Sequence, residues 1–320
     1  MSDHPAHDAL QPPRPGALGA AFTERSDLVP VYLLRFDREN TRRAYSRDLA
    51  HFFGADVVTL ETARAVTFTH VNEFVARMET EGLSPATIRR RLAAVRGFFG
   101  WLVALGALSL NPADRQLVRR VTPDRPQDRI ITVLTRDEAA ALVNGIDTST
   151  EAGPRNRALL LTLLHCVLRR SEAVMMDFEH VVRAGPYWTL RLPRAKGGAN
   201  QAVKIPEHVV ESIEALKETY GYRSGAVWRS LSRNHSRGRR LSSTSVYMIV
   251  RRAATSAGVS GVVGAHTLRH TGCTMAIENG ASIQQVQVHA RHKNIETTMR
   301  YVHQRDRLAN SAADFIDLSP

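Results

Sequence analysis

The sequence predicts a mostly helical protein with one small β-sheet, divided into two folded parts. Apolar side chains recur at helical spacing along most of the chain, most clearly over residues 85–104. Only two short segments, 187–192 and 202–205, have the composition of paired strands, and the turn Lys196-Gly197-Gly198 lies between them. A stretch over 116–133 is rich in arginine and proline and lacks periodicity, which predicts a linker between the two parts.

The first folded part spans residues 24–115 and is predicted to be entirely helical. The fourth of its helices has the clearest limits, because Ser84 is a favourable N-cap, Pro85 fits the first turn and Gly106 follows the last apolar residue. Residues 1–23 hold several Pro and Gly without any period, which predicts a flexible N-terminal tail. The three preceding helices are expected over 28–36, 41–53 and 69–81.

The second folded part spans residues 134–305 and combines helices with the small sheet. Thr135 and Glu138 have the spacing of a capping box, so a helix begins there. The segment 158–168 is strongly apolar and is expected to form a buried helix. Further helices are predicted over 207–220, 242–257, 266–279, 283–291 and 295–302, and a tail over 306–320 follows.

The charge of the chain favours an anionic partner, with nucleic acid first. The 320 residues carry a net charge of +12, and the segment 116–320 alone holds 29 basic and 18 acidic side chains, a net charge of +11. Only four of the basic residues are lysines. A GC-rich genome and recognition of phosphate by guanidinium groups both explain this excess of arginine.

The same composition excludes several classes of protein. No run of apolar residues approaches the length of a membrane span, and the N-terminus lacks the apolar core of a signal peptide. The two cysteines, Cys166 and Cys273, do not form a disulfide framework. We therefore expect a soluble, cytoplasmic protein.

Five local motifs in the second part contain residues suited to chemistry on phosphate, although each alone is better explained as an ordinary surface or helix-end feature. The His266/His270 pair has metal-ligand spacing, but no carboxylate lies between the two and no third ligand is spaced by rule, so we expect no metal. Taken together, the cations and a late tyrosine suit a metal-free attack on a phosphodiester. The candidates are Arg169 with Glu172, Lys196, His266 with Arg269, His292, and Tyr301.

These motifs resemble those of the tyrosine recombinase (phage integrase) family, Xer-like recombinases included. LRRSE is similar to the family's first arginine box, RAKGGANQAVKIP to its lysine hairpin, HTLRH to its HxxR box, and HARHKNIETTMRYVH to its segment with the tyrosine. The resemblance extends over about residues 24–305. It implies that the catalytic residues are Arg169, Lys196, His266, Arg269, His292 and Tyr301.

The resemblance also implies a fold and a mechanism. A helical SAM-like core-binding domain over 24–115 would be joined to a catalytic α+β domain over 134–305. Tyr301 would form a 3′-phosphotyrosyl link, Lys196 would protonate the leaving 5′ oxygen, and Glu172 would orient an arginine or a histidine. No metal or organic cofactor is implied, and four protomers would assemble on two DNA core sites, with a second recombinase or an accessory protein left open.

Clusters of arginines in both parts are expected to contact the DNA backbone. In the first part they fall in two predicted helices, and in the second part they occupy a loop over 228–240 that lacks acidic residues. A solvated surface explains such clusters almost as well. The residues are Arg42, Arg43, Arg89, Arg90, Arg91, Arg229, Arg233, Arg237, Arg239 and Arg240.

Three departures from the family pattern leave the subfamily open. Arg291 and Val167 stand where the family usually has glycine, and His289-Ala290 replaces the usual leucine pair. A topoisomerase of type IB, which shares the covalent chemistry, and a catalytically silent DNA-binding protein remain alternatives. The apolar residues of the tail, spaced for one helical face, would dock on a neighbouring protomer or pack on their own domain.

Overall fold

The computed structural model describes residues 26–122, 132–192, 201–232 and 236–302, and for residues 300–302 it describes only the backbone. The chain divides into two compact units between residues 129 and 130, and each unit has its own hydrophobic core. Half of the expected linker (residues 123–131), the N-terminal tail 1–23 and the tail 306–320 lie outside the described residues, as do Lys196 and Arg233.

The described part of the first unit is entirely helical. Ser84 begins its longest helix as predicted, with its hydroxyl accepting a hydrogen bond from the Thr87 amide at 3.3 Å. A short helix that begins after Thr59 was not predicted, because its five residues are too few to show a period. The helices are α1 Leu28–Leu33, α2 Glu39–Phe53, α3 Leu60–Arg64, α4 Phe68–Thr80 and α5 Pro85–Ala104.

Aromatic rings fill the centre of this unit. Phe98 and Phe99 of α5 are fully buried, and Phe98 lies edge-on to Tyr32 of α1 with the ring centroids 5.5 Å apart. Such edge contacts add to the free energy gained by burying the rings. A buried carboxylate, Asp48 of α2, pairs with Arg90 of α5 and ties the two longest helices together.

The described part of the second unit is built around α7 (Gly153–His165), which packs against α9 (Glu207–Tyr220) and α11 (Ala265–Glu278). The predicted capping box is present, because the Thr135 amide donates to Glu138 at 2.8 Å and the Glu138 amide donates to the Thr135 hydroxyl at 3.2 Å. Its helices are α6 Arg136–Asn144, α7 Gly153–His165, α8 Arg170–Val174, α9 Glu207–Tyr220, α10 Ser243–Ser256, α11 Ala265–Glu278, α12 Ile283–Ala290 and α13 Ile295–Val302.

Three antiparallel strands form the small sheet of this unit, in the order β1 Val181–Ala184, β2 Tyr187–Leu192 and β3 Gln201–Ile205. Leu190 lies opposite both Val181 and Val203, and all three side chains are buried in the core. The sequence predicted β2 and β3 but not β1, because β1 has four residues and only its first is buried. No described helix is long and apolar enough to cross a bilayer.

The limits of α7 differ from the prediction of a helix over 158–168. The helix begins at Gly153, with Pro154 in its first turn, and it ends at His165. The chain then turns sharply at Val167, whose φ of 42° lies in the left-handed region. A short helix, α8, begins directly after this turn, so Arg169 is the N-cap of α8 and does not end the buried helix.

Candidate active site

Arg169 is held at the start of α8 by a carboxylate of the same helix. Glu172 accepts from the Arg169 backbone amide at 2.7 Å through Oε2, and from the Arg169 guanidinium Nη1 at 2.6 Å through Oε1. Glutamate at the third helical position commonly binds the N-cap amide in this way. Glu172 therefore fixes the backbone and the side chain of Arg169 together, and about a third of the Arg169 side chain stays exposed.

Arg269 lies in the second turn of α11 and is almost fully buried. Its guanidinium donates to the backbone carbonyls of Val167 and Ala290. These contacts bring the turn after α7 and the last residue of α12 to the same side chain. Burial, with the nearby charges of Arg169 and Arg291, lowers the pKa of Arg269 to about 10, so the group remains a cation at neutral pH.

Arg291 also enters this cluster, although the sequence marked it only as a departure from the family pattern. Its Nη2 donates to Glu172 Oε2 at 2.9 Å, and its side chain is 4% exposed. Glu172 therefore binds two arginines, one through each oxygen. Burial disfavours the ionised carboxylate, but Arg291 and Arg169 outweigh that effect and lower the pKa of Glu172.

His292 follows Arg291 and faces the same group of cations. Its Nδ1 and the buried Thr298 hydroxyl of α13 form a hydrogen bond of 2.9 Å. Burial lowers the pKa of His292 to about 4, and the charge of Arg269 adds to this effect. The ring is thus neutral at physiological pH and offers a polar contact without a further positive charge.

The low pKa of His292 predicts a pH-dependent loss of stability. The unfolded chain takes up a proton at this histidine near pH 6.5, whereas the folded protein takes it up only near pH 4. Protons therefore bind preferentially to the unfolded state between these values, and stability falls as the pH falls through this window. Thermal unfolding of wild type and His292→Gln at pH 7.5 and pH 4.5 is expected to show the larger loss in wild type. Equal losses of thermal stability in the two proteins would contradict the low pKa of His292.

His266 occupies the first turn of α11, three residues before Arg269, and its side chain is exposed. Partial burial of the ring and the charges of Arg269 and Arg169 lower the pKa of His266, so the imidazole is a neutral base. The His266 and His270 rings meet edge-on with centroids 4.4 Å apart. Within the described residues, no group of three His, Cys, Asp or Glu side chains suits a metal.

The structure thus brings four of the six sequence-predicted catalytic residues, Arg169, His266, Arg269 and His292, and the supporting Glu172 to one side of the second unit. Tyr301 belongs to α13, which packs on α11 and α12, but its side chain lies outside the described residues. Tyr301 is three residues after Thr298, the partner of His292, on the same helix. Lys196 lies outside the described residues.

Several of the arginines predicted to contact DNA have partners inside the protein. Arg229 donates to the Ala226 carbonyl at 2.8 Å and lies over the Tyr222 ring, and Arg240 binds Asp177 and the Val174 carbonyl. These contacts fix the Arg229 and Arg240 side chains against the second unit. Arg237 pairs with Glu151 on the surface, and Arg91 and Arg42 are half-buried. The exposed side chains are those of Arg43, Arg89, Arg90, Arg237 and Arg239.

Comparison with known proteins places the chain in a family. The model described as "Phage integrase family" matches residues 132–307, which is more than half of the chain, and the model described as "Phage integrase, N-terminal SAM-like domain" matches residues 32–106. The chain belongs to the phage integrase family. It is a tyrosine-type site-specific recombinase, an enzyme that cuts and rejoins DNA.

Xer proteins are among the relatives of this recombinase, and the similarity extends over most of each chain. It is 33% identical over 267 residues to tyrosine recombinase XerC of Pelobacter propionicus, covering 82% of this chain and 84% of the relative. It is 30% identical over 278 residues to tyrosine recombinase XerD of Listeria innocua, covering 82% and 88%. The Xer-like resemblance predicted from the motifs is therefore confirmed.

Solved structures share the fold of this recombinase at lower identity. The post-cleavage complex of the XerH site-specific recombinase with palindromic difH substrate matches with a TM-score of 0.67, 20% identity and coverage of 86% of this chain and 79% of that chain. A lambda integrase dimer bound to a COC′ core site matches with a TM-score of 0.68, 17% identity and coverage of 95% and 80%. The predicted fold class, a helical SAM-like domain with a catalytic domain that contains a small sheet, is thus confirmed.

Proposed function

We propose that this recombinase cuts each DNA strand through a 3′-phosphotyrosyl intermediate, with Arg169, Arg269 and His292 around the scissile phosphate. The observation that carries the proposal is a cluster of cations beside a neutral histidine: Glu172 holds Arg169, and the charges of Arg169 and Arg269 both act on His292. Guanidinium groups held in place before the reaction stabilise the charge that develops on a phosphate during displacement. Glu172 offsets only one of the three positive charges of Arg169, Arg269 and Arg291, so the cluster keeps a net positive charge that is suited to an anionic ligand.

The proposed step is a transesterification that conserves the number of phosphate ester bonds. The Tyr301 oxygen attacks phosphorus, the bond from phosphorus to the 5′ oxygen breaks, and His266 assists removal of the tyrosine proton. Lys196 donates a proton to the leaving 5′ oxygen. The free 5′ hydroxyl of a partner strand then reverses the step, so the reaction needs no ATP, metal or organic cofactor.

We propose that the partner is a duplex core site and that four protomers act on two paired sites. Lambda integrase was solved as a dimer on a core site and as a tetramer on a Holliday junction, and these assemblies support the proposal. The core-binding domain would span 24–115, the linker 116–133 and the catalytic domain 134–305. The outcome would be integration, excision or resolution of DNA dimers or cointegrates, alone or with a second recombinase or an accessory protein.

The exposed arginines are proposed to supply contacts to DNA phosphates that are independent of sequence. Arg237 is the most informative to test, because its only described ionic partner is the equally exposed Glu151. A surface ion pair of this kind contributes little and is readily exchanged for a phosphate. We expect Arg237→Ala to reduce the slope of log affinity against log salt by about 0.9. The measurement is a binding titration at several salt concentrations, and an unchanged slope would remove Arg237 from the interface.

The tail 306–320 is proposed to dock on the second unit of a neighbouring protomer. An open apolar cavity of about 430 Å³ lies between α6, α7 and α11, with Val143, Leu161 and Met275 in its lining. A second cavity of about 550 Å³ lies beside the first and shares Val167 and Ala276 with it, and we call the two together the groove. Leu308, Ala312, Phe315 and Ile316 of the tail supply matching apolar side chains.

Deleting residues 306–320 is expected to weaken assembly of paired sites while leaving binding to a single site unchanged. Ala140 is exposed at the rim of the groove, so Ala140→Arg should block the groove without disturbing the core and should reproduce the deletion. Native gel analysis of one-site and paired-site complexes measures both effects. Unchanged pairing in the deletion variant would contradict docking.

The proposed chemistry is tested by trapping the protein on a nicked suicide substrate that carries its core site. Loss of the short fragment that carries the free 5′ hydroxyl prevents religation. Wild type should therefore accumulate as a covalent adduct, also in the presence of EDTA, and Tyr301→Phe should form no adduct. Because topoisomerase-like relaxation shares this adduct, a second assay measures exchange between two sites. Absence of an adduct in wild type on its verified site would contradict the proposal.

A further inference from the structure

Arg291 adopts a backbone conformation that residues with a side chain rarely take. It is the C-cap of α12, with φ 56° and ψ 44° in the left-handed region. Val167 is the other non-glycine residue with a positive φ in the described part of the chain. Arg291 Nη2 lies 3.3 Å from the Val167 carbonyl, so the two strained turns are in contact.

The Arg291 guanidinium is committed to the interior of the site. Nη2 donates to Glu172 Oε2 at 2.9 Å, and Nη1 donates to the His289 carbonyl at 2.7 Å. Like Arg269, Arg291 is almost fully buried, with 4% of its side chain exposed. Its described contacts are with the protein, and through them it acts on the groups that it touches.

Two of the groups that Arg291 touches, Glu172 and the Val167 carbonyl, each hold a proposed catalytic residue. Glu172 holds Arg169 through Oε1, and Arg169 Nη2 lies 3.3 Å from the Arg291 carbonyl. Val167 accepts from Arg269 as well as from Arg291. Arg291 is thus in contact with both ends of the Arg169–Glu172 pair and with the carbonyl that anchors Arg269.

We propose that Arg291 is a positioning residue that divides the Glu172 carboxylate between two guanidinium groups and thereby directs Arg169 at the scissile phosphate. The inference rests on the proposed function. With Arg291 present, Oε2 of Glu172 accepts from both the Arg291 guanidinium and the Arg169 backbone amide, and the Arg169 guanidinium is bound through Oε1. Without Arg291, Oε2 retains only the amide and can also accept from the Arg169 guanidinium, which gives the two-oxygen geometry that arginine and carboxylate prefer. Arg169 would then be withdrawn from the phosphate.

Substitutions that tolerate positive φ at position 291 distinguish the effect of losing the side chain from the effect of backbone strain. Glycine and asparagine both tolerate positive φ, so Arg291→Gly and Arg291→Asn remove the guanidinium and keep the turn. We expect both variants to bind the core site as wild type does and to form the covalent adduct about 10 to 100 times more slowly at saturating protein. Wild-type rates in both variants would overturn the proposal.

Two further readouts distinguish positioning from a general role in folding. If Arg291 acts through Glu172, the loss caused by Arg291→Gly should largely disappear in the Glu172→Gln background, whereas independent structural defects would add. Guanidinium ion should restore cleavage to Arg291→Gly, and methylammonium at equal ionic strength should not. Additive losses without rescue would overturn the proposal.

Wild type in the same assay separates this inference from the proposed function. If wild type forms no adduct on its verified site, the proposed chemistry fails and the role of Arg291 fails with it. If wild type forms the adduct and both Arg291 variants match its rate, the role of Arg291 alone fails.

Discussion

Replacing Arg269 by alanine is expected to reduce DNA cleavage by about 100- to 1,000-fold and to destabilise the second unit. The expected rate loss follows from removing a fixed cation beside the proposed position of the phosphate, where each such donor contributes about 100- to 1,000-fold. The loss of stability follows from the Ala290 carbonyl, which loses its Arg269 donor, and from the Val167 carbonyl, which keeps only the contact with Arg291 at 3.3 Å. Each buried carbonyl left without a donor costs about 1–3 kcal/mol.

Adduct formation at saturating protein and thermal unfolding measure the two effects of Arg269→Ala separately. Arg269→Lys retains the charge but has no planar fork for two carbonyls, so it should be impaired in both assays. Arg252→Ala removes an exposed arginine from the same unit and serves as the matched control. A folded Arg269→Ala variant that cleaves at the wild-type rate would exclude Arg269 from the site.

Replacing Arg169 by alanine is expected to stop cleavage while leaving DNA binding largely intact. Its guanidinium is partly exposed and is held by Glu172, so it is available to a phosphate at one face of the site. We expect a rate loss of about 1,000-fold, by the same electrostatic argument as for Arg269. Stability should fall less than in Arg269→Ala, because Arg291 remains to pair with the buried Glu172.

The neighbouring arginine provides a control for the Arg169 experiment. Arg170 is exposed on the same short helix, so Arg170→Ala removes one charge at nearly the same place without touching Glu172. Cleavage rate and binding affinity are measured for both variants on the same core site. Equal effects of Arg169→Ala and Arg170→Ala on cleavage would show that the lower rate comes from removing one positive charge and not from removing a positioned cation.

The helical framework of this recombinase was predictable from local signals. Ser84 before Pro85 and the Thr135/Glu138 capping box began helices where the sequence indicated, because caps act through neighbouring backbone amides. The elements that were missed, α3, α8 and β1, have four or five residues each. Such segments are too short to display a period, and they are stabilised by contacts with residues distant in sequence.

The sequence indicated candidate site residues but not the connections between them. The motifs pointed to Arg169, Arg269 and His292, and the structure brings these three close enough for the charges of both arginines to act on His292. The link from Arg291 to Glu172 joins residues 119 positions apart, and no local pattern reports such a contact. An arginine in place of the glycine usual at a helix C-cap was the available signal, since a strained residue is retained where its side chain is needed.

Mapping the covalent link determines whether Tyr301 is the nucleophile. Trypsin should release residues 301–305, a peptide in which Tyr301 is the only tyrosine. Mass spectrometry of the adduct from the suicide substrate is expected to find this peptide joined through the tyrosine oxygen to a 3′-phosphorylated nucleotide. A link to any other residue, or to a 5′ phosphate, would contradict the assignment of Tyr301 as the nucleophile that forms a 3′-phosphotyrosyl link.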